Sequence, residues 1–165
     1  MSTATICDSG DGLLASHVSV TDRCGRVIVD DVSVNARSGR TLVIVGESGA
    51  GKSMLARTLC ALTPSALSPS GTVSLGGEAY DLVADQGRLK KQRGGGIVWL
   101  PQDPFTSLAP TLPCGEQITA ARTGRRLERA QRARSLLADV GLDARVARSY
   151  PHELSGGMRQ RVAIA

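Results

Sequence analysis

The chain has 165 residues, which fits one ordinary domain with a sizeable buried core. Its hydrophobic fraction of 41% and charged fraction of 21% are typical of globular proteins, and no apolar run approaches the roughly 18 residues that a membrane span needs. The N-terminus lacks the basic and apolar regions of a signal peptide, so we expect the chain by itself to be cytoplasmic.

The net charge is +5, and arginines are crowded between Arg122 and Arg161. A basic balance can indicate nucleic-acid binding, but no aromatic residues are interleaved there to stack on bases. A solvated helix face is the favoured interpretation, and no nucleic acid is expected as a partner. The four cysteines are scattered without C-x-x-C spacing, so we expect neither a metal site nor a disulfide.

The first part of the chain has the pattern of an antiparallel β-layer. Residues 1–13 predict a flexible tail. Two β-branched runs, 14–20 and 26–34, flank the turn signal of residues 22–25 and predict a pair of strands. The apolar run Thr41-Leu42-Val43-Ile44-Val45 predicts a core strand that leads into the next motif.

That motif is the glycine-rich stretch Gly46-Glu47-Ser48-Gly49-Ala50-Gly51-Lys52-Ser53, followed by a helical pattern over residues 54–62. A strand, a glycine-rich loop and a helix, in that order, form the context in which G-x-x-x-x-G-K-[ST] binds phosphate. Lys52 would reach the outer phosphates, and the Ser53 hydroxyl would coordinate Mg²⁺. The alternative is a glycine-rich turn with a solvated lysine, which the flanking patterns disfavour.

The middle of the chain predicts further β-structure. Residues 71–75 and 78–82, separated by Gly76-Gly77, predict a hairpin. A basic segment, residues 88–93, ends in three glycines. Residues 97–100 predict a short buried strand that runs into Pro101-Gln102-Asp103-Pro104.

From Phe105 the pattern becomes helical. Residues 115–122 and 127–140 predict two helices, and Gly141 ends the second. The predicted apolar face of the second helix consists of Leu127, Ala130, Ala133, Leu137 and Val140. A last helix is predicted over residues 158–165, and because it has no C-terminal cap or polar stop, we expect the natural chain to continue.

The start of that last helix is a second candidate anion site. Two glycines in Leu154-Ser155-Gly156-Gly157 allow close backbone approach, and Ser155 supplies a hydroxyl. The following turn has no carboxylate to occupy the positive helix end. The alternative is an ordinary serine cap with a glycine hinge, and these residues alone favour neither.

Three motifs in this order resemble the nucleotide-binding subunit of ABC transporters. They are the Walker A loop from Gly46 to Ser53, the Q-loop around Gln102, and the signature sequence from Leu154 to Arg161. Residues 46–49, 101–110 and 150–153 resemble the peptide and nickel importer branch. The resemblance runs from about His17 to the end of the sequence, and uptake systems for opines and other small solutes share these motifs.

The resemblance implies an α/β fold, a P-loop NTPase with a RecA-like core, an antiparallel β-layer and an inserted helical subdomain, incomplete at the C-terminus. Residues 14–104 would be the N-terminal part of the ATPase core and residues 105–157 the helical subdomain that docks on a membrane subunit. Residues 158–165 would begin the helix that returns to the core.

The resemblance also implies site residues. Lys52 and Gln102 would be catalytic, and Ser53 and Gln102 would contact Mg²⁺. The residues implied to hold the ATP phosphates are Gly46, Glu47, Ser48, Gly49, Ala50, Gly51, Lys52, Ser53 and Met54. The signature residues implied to contact ATP on a second nucleotide-binding subunit are Leu154, Ser155, Gly156, Gly157 and Gln160.

The implied function is that of an ATP-binding subunit of an ABC transporter, which couples ATP binding and hydrolysis to uptake of a peptide, nickel or a similar solute. Its partners would be transmembrane permease subunits, a second nucleotide-binding subunit, identical or different, and indirectly a solute-binding protein. Its location would be the cytoplasmic face of the inner membrane. A nucleotide-binding or regulatory module without turnover is the first alternative, and a non-transport P-loop enzyme such as a kinase is the second.

The sequence departs from the family pattern in two places. No aromatic residue stands near Asp22 or Arg23, where the family has one that stacks on adenine. The 165 residues also lack the Walker B carboxylates, the D-loop and the switch histidine. Because the group that orients the attacking water is then missing, we expect these residues alone to be weakly stable and to hydrolyse ATP very poorly.

Overall fold

The structure, a computed structural model, describes residues 12–101, 107–120 and 126–165. The chain divides into two compact units at the Trp99–Leu100 bond. Within the part of the chain that the structure describes, every helix is too short or too polar to cross a membrane.

The first unit contains a four-stranded antiparallel sheet. Its strands are β1 (Gly12–Asp22), β2 (Val27–Arg37), β3 (Leu67–Leu75) and β4 (Glu78–Asp81), in the spatial order β2-β1-β3-β4. The two predicted strand pairs are therefore confirmed. Strands β1, β2 and β3 extend beyond the predicted ranges, because each continues to pair with its neighbour.

The turn between β1 and β2 forms where the sequence predicts it. The Asp22 carboxylate accepts the backbone N–H groups of Cys24 (2.8 Å) and Arg26 (2.9 Å), and Gly25 takes a positive φ of 80°. An aspartate that bonds to the backbone two residues later, together with a glycine in the left-handed region, is a common way to reverse a chain.

One face of the sheet packs on two helices, α1 (Lys52–Leu59) and α2 (Gln86–Lys91). Alternate residues of the strands point to this face, because side chains alternate along a strand. The buried residues of this core are Ala15, Val18, Val20, Val29, Leu55, Leu59, Val73, Tyr80, Leu82 and Leu89. The sheet thus supports the helix that follows the glycine-rich loop.

Two predicted core strands do not form. Residues 41–45 form neither helix nor strand and pair with no described strand, and Val45 is 85% exposed. Residues 98–100 are likewise unpaired, Val98 is 73% exposed, and Ile97 makes only an isolated bridge to Arg93. Strands of a parallel core are buried and bonded on both sides, so a run of this kind stays exposed when no described strand lies beside it.

The second unit is helical. It contains α3 (Cys114–Ile118), α4 (Arg126–Asp139) and α5 (Gly156–Ile164), with short 3-10 turns at Ala144–Arg148 and Pro151–Glu153. The predicted helix over residues 115–122 is shorter than expected, since α3 ends at Ile118; residues 121 and 122 lie outside the described ranges. The buried core residues are Cys114, Leu137, Leu142, Val146, Leu154 and Val162.

The predicted apolar face of α4 is only partly buried. Ala133 and Leu137 are buried, whereas Leu127 is 82% exposed and Ala130 is exposed as well. The prediction was wrong for these two residues because the first turn of α4 lies outside the core that covers its later turns.

Candidate functional site

The glycine-rich loop precedes the N-terminus of α1, which begins at Lys52. Gly49 and Gly51 take positive φ angles of 86° and 82°, a conformation that side chains rarely adopt. A Cβ atom on Gly51 would lie 2.5 Å from the carbonyl oxygen of Ile28. Only glycine fits at this position, and the backbone of the loop is brought close to strand β2.

Lys52 bends back over this loop. Its Nζ atom donates hydrogen bonds to the carbonyl oxygens of Gly46 (2.8 Å) and Glu47 (2.5 Å). The loop is closed further by a bond from the Ala50 N–H to the Glu47 carbonyl oxygen (3.3 Å). The ammonium group is therefore held beside the backbone that would surround a phosphate.

The N-terminus of α1 is open to an anion. The first N–H groups of a helix have no partner within the helix, and the helix dipole adds partial positive charge there. The described first turn of α1 carries no acidic side chain, and the Gly51 cap supplies no side-chain acceptor. Residues 46–50 and Ser53 are exposed, while Gly51 and Lys52 are half-buried. This combination suits the terminal phosphates of a nucleotide.

The other predicted residues of this site have separate positions. The Ser53 side chain is on the exposed side of the first helical turn, where a metal bound to phosphate could reach its hydroxyl. Met54 is half-buried and packs against the sheet core. Gln102 lies outside the described residues, so its role as a ligand of Mg²⁺ or of the attacking water stays a prediction.

The second candidate site is at the N-terminus of α5. The Ser155 hydroxyl accepts the backbone N–H of Met158 (3.3 Å), so this serine caps its own helix. Leu154 is buried and anchors the loop, and its carbonyl oxygen accepts a bond from the Arg159 Nε atom (3.1 Å). Ser155, Gly156 and Gly157 are exposed.

Both alternatives that the sequence left open for this segment are compatible with this geometry. The hydroxyl caps the helix, as an ordinary serine cap does. The described first turn of α5 has no acidic residue, and both glycines and Gln160 face solvent, so an anion could approach the same helix end. The role of these residues toward a second nucleotide stays a prediction.

Sequence reasoning missed one contact near the loop. The Arg57 guanidinium, on the last turn of α1, lies 5.8 Å from the centre of the Trp99 ring. The two residues are far apart in the sequence, and no local pattern pairs an arginine of a helix with a tryptophan of a distant segment.

A glycine loop that leads into an anion-accepting helix, on an α/β scaffold with an antiparallel layer, defines the class of P-loop nucleotide-binding proteins. Comparison with known proteins shows which family within this class the chain belongs to. Residues 29–165 match the family model described as ABC transporter. The chain belongs to the ABC transporter family.

The curated relatives include ATP-binding proteins of peptide transport. The oligopeptide transport ATP-binding protein AppD of Bacillus subtilis is 39% identical over 144 residues, 83% of this chain and 44% of AppD. The dipeptide transport ATP-binding protein DppD of Lactococcus lactis is 40% identical over 159 residues, 90% of this chain and 45% of DppD. The chain thus spans less than half the length of these relatives.

Solved structures confirm the predicted fold class. MJ0796, described as a bacterial ABC transporter cassette in a dimeric structure, has a TM-score of 0.75 and 28% identity, over 92% of this chain and 67% of that one. A second dimeric structure of MJ0796, with bound ADP and Pi after hydrolysis, has a TM-score of 0.72 and 26% identity, with the same coverage.

Proposed function

We propose that this chain is the nucleotide-binding part of an ABC transporter subunit that couples ATP binding and hydrolysis to uptake of a small solute, with peptides as the favoured class. The open N-terminus of α1, with Lys52 held over the glycine loop, carries the proposal. The transport functions that the names of AppD and DppD state favour a peptide. The kinase alternative is not favoured, because the similarity to transport proteins covers most of the chain.

The residues of the loop fit a nucleoside triphosphate. Residues 46–54 would surround its phosphates through backbone N–H groups, and Lys52 would exchange its bonds to Gly46 and Glu47 for bonds to phosphate oxygens. When Mg²⁺ is bound, it would neutralise part of the phosphate charge. Among the described residues no group of three or more histidine, cysteine or acidic side chains could hold a metal. The ion would therefore be held through phosphate oxygens, Ser53 and, from the sequence, Gln102.

The signature residues would act on a second subunit. In this proposal two nucleotide-binding subunits pair head to tail, and residues 154–157 with Gln160 contact the ATP held by the loop of the other subunit. The dimeric form of MJ0796 supports such a pairing. ATP would favour the closed pair because it contacts both subunits only in that form, and its hydrolysis would release them.

The partners and location follow from this role. Residues 105–157 would be the helical subdomain that docks on transmembrane permease subunits, with a solute-binding protein acting on the other side of the membrane. The subunit would then be peripheral, on the cytoplasmic face of the membrane.

We infer low turnover for the 165 residues by themselves. The exposed run 41–45 and the partly exposed run 97–100 would be core strands that need neighbours, and the larger part of the relatives' length has no counterpart here. These residues would bind nucleotide without a complete catalytic centre. We therefore expect measurable binding of nucleotide but little ATP turnover. The module without turnover is therefore the second candidate for the 165 residues.

The test is thermal unfolding of the chain with and without Mg·ATP. A nucleotide at about 100 times its dissociation constant stabilises a protein by about 2.7 kcal/mol, which should raise the melting temperature by several degrees. Lys52→Ala should lose most of this rise, whereas Lys91→Ala, at an exposed lysine of α2, should keep it. Phosphate release by the same samples should be slow.

An equal rise in melting temperature for Lys52→Ala and Lys91→Ala would contradict the assignment of the loop. Rapid phosphate release by the 165 residues would contradict the separation of binding from turnover.

A further inference from the structure

Helix α1, which follows the phosphate loop, contacts the segment of residues 93–99, which precedes Gln102 in the chain. The Arg57 guanidinium lies 5.8 Å from the centre of the Trp99 ring, within the range of a cation–π interaction. Arg57 is on the last turn of α1, and Trp99 is half-buried in a segment without regular structure. A side-chain contact therefore connects this segment to α1.

A second observation places the start of the same segment near the end of α1. Cys60 caps the C-terminus of α1 directly after Leu59, and Cys60 is buried. Burial raises the pKa of the Cys60 thiol, and the positive charge of Arg93 opposes that rise. Arg93 also pairs with Ile97 through an isolated bridge. Arg93, at the start of the segment, thus lies near Cys60, and Trp99, at its end, lies near Arg57 of the same helix end.

The distances along the chain are short. Arg57 follows Lys52 by five helical residues, a rise of about 7.5 Å. Gln102 follows Trp99 by three residues, which span at most about 11 Å. The contact between Arg57 and Trp99 therefore links the helix after the phosphate loop to a point three residues before Gln102.

We propose that the contact between Arg57 and Trp99 is a positioning contact, which transmits occupancy of the phosphate loop from α1 to the segment that leads into Gln102. This inference rests on the proposed function, because it requires nucleotide at the loop. Neither side chain need touch the nucleotide. The contact would change the position of the segment only when the occupied and empty loops hold α1 differently.

Trp99 is the only tryptophan of the chain, so its emission reports on this segment alone. Mg·ATP is titrated into the chain while binding is measured in parallel by equilibrium dialysis. Trp99 emission should change along the binding curve. Arg57→Gln should lose most of this change at full occupancy, while its dissociation constant stays within about threefold of the original, since Arg57 does not line the loop. Arg57→Lys should restore part of the change, because an ammonium also interacts with an indole face.

Arg40→Gln is the matched control, since Arg40 is an exposed arginine of the same unit. It should keep the full emission change. An unchanged response of Arg57→Gln at saturation, or a silent Trp99 in the original chain while dialysis shows binding, would overturn this inference and leave the proposed function intact. Absence of binding by dialysis would overturn both.

Discussion

At the scale of single residues, Arg88 of helix α2 contacts one carboxylate on strand β4 and one at the start of its own helix. Its guanidinium donates to Glu78 and to Asp85 (3.0 Å), and it lies 5.1 Å from the centre of the Tyr80 ring. Hydrogen bonds from the Tyr80 hydroxyl and from Arg88 hold the pKa of the Glu78 carboxyl below its ordinary value. The Asp81 N–H and Arg88 do the same for the pKa of Asp85.

These lowered pKa values set a direction for pH dependence. A carboxyl whose pKa is lower in the folded state stabilises the fold above its ordinary pKa, and this contribution is lost as the pH falls through the folded-state pKa. We predict that Arg88→Gln raises the pKa of Glu78 and of Asp85 toward ordinary values. The pKa of Asp81, lowered by the Ala84 and Val83 N–H groups, should stay nearly unchanged. Carboxyl NMR titrations measure all three, and a common shift, or none, would contradict this account.

Ser155 has two roles that substitutions can separate. Because its hydroxyl caps α5, Ser155→Ala should lower the free energy of unfolding by about 1 kcal/mol. Ser155→Asp keeps a good cap and should unfold near the original denaturant midpoint, yet its carboxylate would repel a phosphate placed at the same helix end. Urea unfolding compares the three chains. If Ser155→Asp is as unstable as Ser155→Ala, the hydroxyl has no capping role that aspartate can replace.

At the scale of elements, strand β1 contains an irregularity opposite β3. The pairing register shifts between Ser16 and Ser19, and His17 takes a positive φ of 53°. The imidazole Nδ1 of His17 lies 2.8 Å from an Asp31 carboxylate oxygen of β2. On the other side, Gly71 of β3 approaches so closely that a Cβ atom there would lie 2.4 Å from the His17 carbonyl oxygen.

Gly71→Ala should therefore destabilise the sheet. Both Gly71 and Gly25 have positive φ, so alanine at either position costs about 1–2 kcal/mol in backbone strain. Only at Gly71 does the new methyl group also meet backbone atoms, which should add about 1–3 kcal/mol. Urea unfolding of Gly71→Ala and of the control Gly25→Ala measures the difference. If the two variants lose the same free energy of unfolding, the close approach of β3 to β1 does not affect stability.

An element could be predicted when the residues that determine it are close together in the sequence. The turn of Asp22 to Gly25 is set by neighbouring residues and forms where predicted. The helix after the glycine loop also forms, but it covers Lys52–Leu59 and so begins and ends earlier than the predicted residues 54–62. The irregularity at His17 depends on Gly71, far along the chain, and no local pattern indicates it. The glycine loop was predictable because its function requires a specific spacing, whereas the contact of Arg57 with Trp99 required the fold.

At the scale of the whole molecule, the strands predicted over residues 41–45 and 97–100 do not form. Their apolar character predicts burial, but burial comes from other strands, and none of the described strands lies beside them. The first run leads directly into the phosphate loop. We therefore expect nucleotide to bind more tightly in a longer chain that supplies strands beside these runs than in the 165 residues alone.

The central claim is that two helix N-termini of this polypeptide each bind one triphosphate, and that the two binding elements of a site come from opposite members of a pair. Mixing two inactive variants of a chain extended to the length of its relatives tests it. In a mixed pair, the Lys52→Ala chain keeps its signature loop and the Ser155→Asp chain keeps its phosphate loop. One of the two sites is then built from intact parts.

ATP turnover of the mixture is the deciding measurement. Each variant alone should be nearly inactive, and random pairing of equal amounts should restore about a quarter of the original turnover, since one site in four is intact. No recovery in a mixture shown to exchange subunits would contradict the claim that each site is shared between two chains.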